Sequence, residues 1–128
     1  MKMLQQSGIP IAIITARNSL LVERRMKDLG IHYLFQNSRN KLIVFRQLMS
    51  DLNMKNQEVC YVGDDLLDLP VMQQVGLAIA VNDAHFLVKE KAHWITSKSG
   101  GQGAAREVCD HILAAQDKLD VMLSPYLV

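Results

Sequence analysis

Apolar runs of strand length alternate along the chain with stretches of helical periodicity. The runs that predict strands are residues 10–15, 33–35, 59–62, 77–80 and 94–95. This alternation is typical of a parallel sheet that is covered by helices on both faces. Because residues 10–15 are continuously apolar, we expect them to form an interior strand. The pattern therefore predicts an α/β fold with a Rossmann-like, doubly wound parallel sheet.

Capping residues mark the ends of the helices between these strands. Asn18 or Ser19 can cap the first helix, which Gly30 closes, and Asn40 can cap the second. A short helical piece is expected at residues 85–91. The last helix should run to about residue 118, with one apolar face made of Ala105, Val108, Ile112 and Ala115. The apolar tail, residues 119–128, is too short for a core of its own and is expected to dock on a neighbouring subunit.

Length and charge narrow the class of protein. The chain has 128 residues, 49% of them hydrophobic, which predicts a single domain spanning residues 1–128. With 14 basic and 13 acidic residues intermixed, it has no basic stripe of the kind that binds nucleic acid. Its longest apolar stretch, residues 9–14, is too short to cross a membrane. We therefore expect a cytoplasmic protein with neither nucleic acid nor membrane as a partner.

The cysteines and histidines show no metal-binding spacing. Cys60 and Cys109 lie far apart in the sequence, and there is no Cys-x-x-Cys pair. The four histidines likewise show no His-x-x-x-His spacing. We expect two reduced core cysteines, ordinary histidines and no zinc site.

Candidate chemistry follows the predicted strands, because ligands of open parallel sheets bind beyond the carboxyl ends of the strands. Thr15 ends the first strand and offers a hydroxyl for a phosphate oxygen, although it could equally serve only as a helix cap. Arg17 and Lys41 lie near helix N-termini, where a cation is unfavourable by about 0.3–1 kcal/mol unless an anion is nearby. Arg25 lies two turns along the first helix and could project to the same side as Arg17. For Lys41 and Arg25 the alternative is a solvated surface cation.

The sharpest local signal is Gly63-Asp64-Asp65-x-x-Asp68, directly after the strand at residues 59–62. Carboxylate oxygens suit Mg²⁺, which is usually held by one or two carboxylates, waters and a substrate phosphate. The glycine would permit a tight turn that aims Asp64 over the sheet edge. Asp65 or Asp68 could instead cap the short helix that follows. The order of hydroxyl, lysine and carboxylates after successive elements predicts a site that stabilises a transferring phosphoryl group.

These residues also carry a family resemblance. Thr15, Lys41 and the Gly63 to Asp68 segment resemble the second, third and fourth motifs of the haloacid dehalogenase (HAD) superfamily of phosphohydrolases. Within that superfamily, residues 13–17, 40–42, 61–72 and 100–110 resemble the small, capless 3-deoxy-D-manno-octulosonate 8-phosphate (KDO 8-phosphate) phosphatases. The likeness spans nearly the whole chain.

The resemblance implies a Mg²⁺-dependent phosphatase, a cytoplasmic homotetramer that hydrolyses KDO 8-phosphate, a sugar-acid phosphate, in lipopolysaccharide precursor synthesis. It implies that Asp64 binds Mg²⁺ and that Asp68 supports the metal from nearby. Thr15 and Lys41 would bind the phosphate and take part in catalysis. Arg17 and Arg25 would bind other anionic or polar parts of the substrate.

The family's nucleophile and its general acid/base are two aspartates of an Asp-x-Asp motif that follows an N-terminal strand. The 128 residues contain no Asp-x-Asp. In the family this strand is central and lies between the strands corresponding here to residues 10–15 and 59–62. We therefore expect either a fragment of a longer enzyme or a shortened homologue, and in both cases no turnover by residues 1–128. The two flanking strands should expose unpaired edges unless they pair with each other or with another chain.

An alternative is a non-catalytic oligomerisation module, similar to the degenerate phosphatase-like domains attached to some sialic-acid-activating enzymes. The presence of Thr15, Lys41 and Asp64 argues against it. A receiver domain of two-component signalling uses the same residue types, but in the order aspartates, threonine, lysine. That order is reversed here, so this class is set aside.

Overall fold

Strands and helices alternate along the part of the chain that the computed structural model describes, which is residues 5–6, 8–100 and 103–115. The strands are β1 (Ala12–Ile14), β2 (Tyr33–Phe35), β3 (Cys60–Gly63), β4 (Leu77–Ala80) and β5 (Trp94–Ile95). The helices are α1 (Leu20–Asp28), α2 (Lys41–Leu52), α3 (Leu69–Met72), α4 (Phe86–Lys91) and α5 (Ala104–Ala115). Two 3₁₀ turns lie at Asn56–Glu58 and Leu66–Asp68.

All strand pairs of these described residues are parallel. One sheet pairs β1 with β2, with Ala12 opposite Tyr33, and the other has the order β3-β4-β5, with Cys60 opposite Leu77. Helices connect the successive strands, as parallel pairing requires. The predicted α/β, Rossmann-like fold is confirmed.

The expectation that residues 10–15 form an interior strand is wrong for the described part of the chain. There β1 pairs only with β2, and β3 pairs only with β4, so each has one free edge. The two free edges do not pair with each other. Continuous apolar character predicts burial of both faces, but it does not reveal whether a neighbouring strand is present.

The predicted helix caps agree with the structure. Ser19, rather than Asn18, caps α1, because its hydroxyl accepts a hydrogen bond from the Val22 N–H at 3.3 Å. The Asn40 side-chain oxygen accepts one from the Ile43 N–H at 3.3 Å, so that α2 begins at Lys41. These caps fix where each helix starts relative to the strand end before it.

One hydrophobic cluster lies beneath both sheets. Its buried members come from α2, α3, β4 and α4, and they include Phe45, Leu48, Met49, Val71, Met72, Ala78 and Val88. Ile14 of β1 and Tyr61 of β3 both pack against this cluster. The carboxyl ends of β1 and β3 are therefore held against a shared core although the strands are not hydrogen-bonded to each other.

The buried face of α5 differs from the predicted one. Val108 is buried and Ile112 half-buried as expected, but Ala105 and Ala115 are exposed. The other buried side chains are Ala104, Cys109 and Leu113. The large Leu113 packs with Ile9 and Ile11, so the buried face of α5 is shifted by about one residue from the predicted face. Residues 116–118 of the predicted helix and the tail at 119–128 lie outside the described residues.

Cys60 and Cys109 are both free thiols, as predicted, but only Cys109 is buried in the core and Cys60 is half-buried. Burial, and secondarily the neighbouring Cys109, raises the pKa of Cys60 to about 11. Its thiol is therefore protonated at neutral pH. Within the described ranges, the helices lack the combination of length and apolar character that crossing a membrane requires.

Candidate active site

The turn after β3 is held by its own aspartates. Asp65 accepts a hydrogen bond from the Leu66 N–H at 2.6 Å and caps the following 3₁₀ turn. Asp68 reaches back and accepts one from the Asp65 N–H at 3.1 Å. The capping interpretation is therefore correct for Asp65 and is part of the role of Asp68.

Asp68 is the centre of a buried polar cluster. The residue as a whole is 2% exposed, and one carboxylate oxygen, Oδ1, accepts hydrogen bonds from Lys41 Nζ and Tyr61 Oη, each at 2.6 Å. The other oxygen, Oδ2, accepts from the N–H groups of Asp64 at 3.0 Å and Asp65 at 3.1 Å. Four donors thus compensate for the burial of this charge.

Lys41 belongs to the same cluster, so the surface-cation alternative is wrong for this residue. Its side chain is 10% exposed and forms an ion pair with Asp68. Lys41 is the first residue of α2, where the helix dipole disfavours a cation. An anion was expected beside a lysine at this position, and Asp68 supplies it. Because an ammonium has three donors, Lys41 can still offer hydrogen bonds to a ligand.

Electrostatics distinguish Asp68 from Asp64. Burial alone would raise the pKa of Asp68, but the hydrogen bonds from Lys41, Tyr61 and the Asp64 backbone lower it below its ordinary value. For Asp64, burial and then the neighbouring Asp68 raise the pKa, and Lys41 opposes this only in part. The charged form of Asp64 is therefore disfavoured, first by partial loss of solvent and then by the neighbouring carboxylate. A divalent cation would offset both effects and prefers carboxylate oxygen, so the residues present fit Mg²⁺.

The backbone of Asp64 is fixed from both sides. Its N–H donates to Asp68, and its C=O accepts a hydrogen bond from the His85 N–H at 3.0 Å. His85 lies in the loop between β4 and α4, so this loop and the turn after β3 hold the two peptide groups on either side of the Asp64 Cα. The side chain of Asp64 is exposed at the carboxyl end of β3. The site thus presents one accessible carboxylate on a rigid support.

Thr15 and Arg17 form a second group after β1. The Thr15 hydroxyl accepts a hydrogen bond from the Arg17 N–H at 3.1 Å, but this bond lies in the loop before α1, whose cap is Ser19, so the helix-cap alternative is wrong for Thr15. The C=O of Thr15 accepts one from the Ser38 N–H at 2.9 Å, and the C=O of Arg17 accepts one from the Asn37 N–H at 3.1 Å. These bonds tie the loop after β1 to the loop after β2, and the Thr15 hydroxyl keeps its own proton for a ligand.

The structure brings Lys41, Asp64 and Asp68 into one cluster. Among the described residues, no hydrogen bond joins this cluster to Thr15 or Arg17. The two groups are linked through the hydrophobic core. Ile14 of β1 and Tyr61 of β3 both pack against the hydrophobic cluster to which α2 contributes. Arg25 is exposed on α1 and makes no side-chain hydrogen bond to these residues in the described part of the chain.

The three aspartates do not form a three-ligand metal site. Within residues 5–6, 8–100 and 103–115, no three His, Cys, Asp or Glu side chains are placed to hold one ion. Asp65 is engaged as a cap and Asp68 is saturated by its four donors. Asp64 remains as the free carboxylate. One carboxylate, with waters and a phosphate, is within the usual range for Mg²⁺.

Asp64, at the candidate site, is exposed. Two clefts of about 320 and 300 Å³ lie elsewhere, the first between α1 and β2 and the second beside β3, β4 and α5. Neither is lined by Thr15, Lys41 or Asp64. The site is therefore defined by its polar groups at the ends of the strands.

Sequence reasoning missed Tyr61. A Cβ on Gly63 would lie 2.7 Å from Asp68 Cβ and 2.7 Å from Met72 Sδ, so the glycine provides space for Asp68. Its φ is not positive, so it permits the turn through this close approach and not through a left-handed backbone. Because alternate strand residues share a face, Tyr61 lies on the same face as Gly63 and so meets Asp68. A tyrosine two residues before a Gly-Asp-Asp turn was the available signal.

Comparison with known proteins identifies a family that matches this chain. The model of the haloacid dehalogenase-like hydrolases matches residues 33–108. A KDO 8-phosphate phosphatase of Yersinia pestis is 52% identical over 114 residues, which is 89% of this chain and 61% of that protein. The counterpart from Escherichia coli K12 is 53% identical over the same coverage. The chain therefore spans about three fifths of the length of these relatives.

Solved structures agree in shape. A probable phosphatase from Pseudomonas syringae has a TM-score of 0.97 at 50% identity, covering 99% of this chain and 72% of that one. The Moraxella catarrhalis KDO 8-phosphate phosphatase has a TM-score of 0.95 at 39% identity, covering 98% and 72%. That structure contains a magnesium ion, a phosphate ion and a KDO molecule.

Proposed function

The chain belongs to the haloacid dehalogenase-like hydrolases, and on this premise we propose that it is the phosphate- and Mg²⁺-binding part of a phosphatase for KDO 8-phosphate. The enzyme would release KDO and inorganic phosphate. The identity to KDO 8-phosphate phosphatases over most of the chain supports this substrate. The Mg²⁺, phosphate and KDO bound to the Moraxella catarrhalis relative support the cofactor and the ligand class.

The observation that carries the proposal is the cluster of Lys41, Asp68 and Asp64 at the end of β3. A buried ion pair rigidly supports one accessible carboxylate whose surroundings favour a cation. Phosphoryl transfer needs little else from a protein than positioning and compensation of charge. A cation ligand beside a lysine with spare donors supplies both.

Each residue has a proposed task. Asp64 holds Mg²⁺, and Asp68 supports it through the backbone of the Asp64 turn. When bound, the metal ion neutralises charge on the transferring phosphoryl group. Lys41 and Thr15 bind phosphate oxygens, and Lys41 stabilises the charge that they gain in the transition state. We assign Arg17 and Arg25 to the anionic and polar parts of the sugar acid.

The nucleophile is assigned to an Asp-x-Asp strand that the 128 residues do not contain. In this proposal the strand occupies the space between the free edges of β1 and β3. One of its aspartates attacks phosphorus as the bond from phosphorus to the sugar-acid oxygen breaks, and the other aspartate protonates that oxygen, which releases KDO. Water then hydrolyses the aspartyl phosphate, which releases inorganic phosphate and restores the aspartate. We further propose a single domain for residues 1–128, a cytoplasmic homotetramer and a place in lipopolysaccharide precursor synthesis.

Phosphate release from KDO 8-phosphate tests the proposal. Residues 1–128 alone should show no enzyme-like turnover. A longer form that includes the Asp-x-Asp strand should hydrolyse the ester with Mg²⁺, and Lys41→Met in that form should lower kcat by about 10²–10³-fold. Lys91→Met, an exposed cation on α4, is the matched control. Enzyme-like turnover by residues 1–128 would contradict the nucleophile assignment.

Calorimetry separates the phosphatase from the oligomerisation module. Titration of residues 1–128 with Mg²⁺ in the presence of inorganic phosphate should give a binding heat. Absence of any heat would favour the non-catalytic module, which has no need of either ligand.

A further inference from the structure

We propose that Tyr61 is a positioning residue of this site, and that its hydroxyl locks Asp68 in the orientation that fixes the Asp64 turn. The metal-binding part of the inference rests on the proposed function, because it takes Asp64 as the Mg²⁺ ligand. The positioning part rests on hydrogen-bond geometry alone.

The two side chains that donate hydrogen bonds to Asp68 Oδ1 differ in how firmly their donor groups are positioned. Lys41 and Tyr61 both approach this oxygen to 2.6 Å. The lysine ammonium ends a flexible four-carbon stem, whereas Tyr61 sits on β3, paired in register with Ala78, and its ring packs against the core. Of the two contacts, the hydroxyl is the one whose position the strand fixes.

This difference matters when a phosphate binds. Lys41 then directs its remaining donors to the ligand, so its ammonium is shared between the phosphate and Asp68. The Tyr61 hydroxyl has no such second task and keeps Oδ1 in place. It therefore holds the carboxylate while the lysine adjusts to the ligand.

The orientation of Asp68 determines the turn that carries Asp64. When Tyr61 fixes Oδ1, the other oxygen, Oδ2, faces the N–H groups of Asp64 and Asp65. Rotation of the carboxylate about its terminal torsion would break both of these bonds, because the two oxygens would leave their donors. The N–H groups of Asp64 and Asp65 would then lose their partner, and the Asp64 backbone would keep only the bonds from the Val81 N–H to the Gly63 C=O and from the His85 N–H to the Asp64 C=O.

Tyr61→Phe tests this inference with a change of a single hydroxyl. The matched control is Tyr33→Phe, since Tyr33 lies on β2 with its side chain exposed. In the 128-residue chain without metal, we expect the amides of Asp64 and Asp65 to exchange with solvent about tenfold faster in Tyr61→Phe, with the β4 amides unchanged. Mg²⁺ affinity should fall by about tenfold, the lower end for residues that support a metal ligand. Tyr33→Phe should change neither.

Unchanged exchange at Asp64 and Asp65 in Tyr61→Phe would overturn the inference. So would faster exchange across all of β4, because that would indicate a general packing role. If Tyr61→Phe does not fold, hydrogen exchange in the unaltered chain is the test. Amides of Asp64 and Asp65 that are unprotected there would contradict the positioning role, and protected amides would support it. If the unaltered chain fails to bind Mg²⁺ while the amide effect appears, the positioning role stands and the metal assignment of Asp64 fails.

Discussion

At the scale of single residues, Lys41 and Asp68 determine what the site can do. The pair is almost fully buried, with side chains 10% and 3% exposed. Removing one partner of such a pair leaves an uncompensated charge, whereas an exposed pair contributes little. The stability of the turn and the binding of an anion therefore depend on the same two side chains.

Lys41→Met should reduce the free energy of unfolding by about 3 kcal/mol, because Asp68 would remain buried with a net charge. Urea unfolding of residues 1–128 measures it. Lys91→Met changes an exposed cation and should stay within about 0.5 kcal/mol of the unaltered protein. Equal losses in the two variants would mean that the buried pair is not formed.

In the absence of metal, Asp64→Asn should increase the free energy of unfolding, whereas Lys41→Met should reduce it. The neutral amide removes a carboxylate that Asp68 repels, so the metal-free protein should gain roughly 0.5 kcal/mol, a small value because the side chain is exposed. The same variant should lose Mg²⁺ binding in calorimetry. A destabilised metal-free protein would show that Asp64 has a structural rather than a ligand role.

The acid stability of the protein should follow Asp68. Its pKa is lower in the folded than in the unfolded state, so between the two values the folded protein binds fewer protons. The stabilisation is complete above the unfolded pKa, at about pH 4, and is lost as the pH falls through the folded pKa. Urea unfolding between pH 2 and 6 measures it, best in Asp64→Asn, because the raised pKa of Asp64 acts in the opposite direction. Stability independent of pH below 4 would contradict the assignment.

At the scale of elements, the approach of the Leu66–Asp68 turn to the end of β3 depends on Gly63. Gly63→Ala would place a methyl 2.7 Å from Asp68 Cβ, where something must move. We expect a loss of about 1–3 kcal/mol in urea unfolding, as for other overpacked sites, together with weaker Mg²⁺ binding. Gly100→Ala is the control, since its nearest contacts would be 3.7 Å away. A neutral Gly63→Ala would mean that Asp68 does not lie over the glycine.

Local patterns predicted the elements better than the contacts between them. The helix starts at Ser19 and Asn40 and the strand at 33–35 follow from side chains close in sequence, and the structure agrees. The buried face of α5 was misjudged because Leu113 is placed by Ile9 and Ile11, about 100 residues away in the sequence. Such a distant contact leaves no trace in the local periodicity.

The candidate site shows the same limit. Asp64, Asp68 and Lys41 could be identified from order and spacing. The saturation of Asp68 by Tyr61, Lys41 and two amides could not, because it depends on how the turn folds back over β3. The roles of Thr15, Arg17 and Arg25 as phosphate or substrate ligands stay predictions.

At the scale of the whole molecule, the arrangement of the two sheets determines where the two halves of the proposed site lie. In the described part, β1 and β3 each have a free edge, while Ile14 and Tyr61 pack against a common core. The two halves of the proposed site, Thr15 with Arg17 and Lys41 with Asp64, therefore lie at the carboxyl ends of strands that no hydrogen bond joins. The central claim is that these halves act as one site.

A crystal structure of residues 1–128 grown with Mg²⁺ and inorganic phosphate tests that claim most directly. We expect the metal ion on the Asp64 carboxylate, and one phosphate that contacts both the Thr15 hydroxyl and Lys41 Nζ. A phosphate bound away from both groups, or a metal ion that does not touch Asp64, would contradict it.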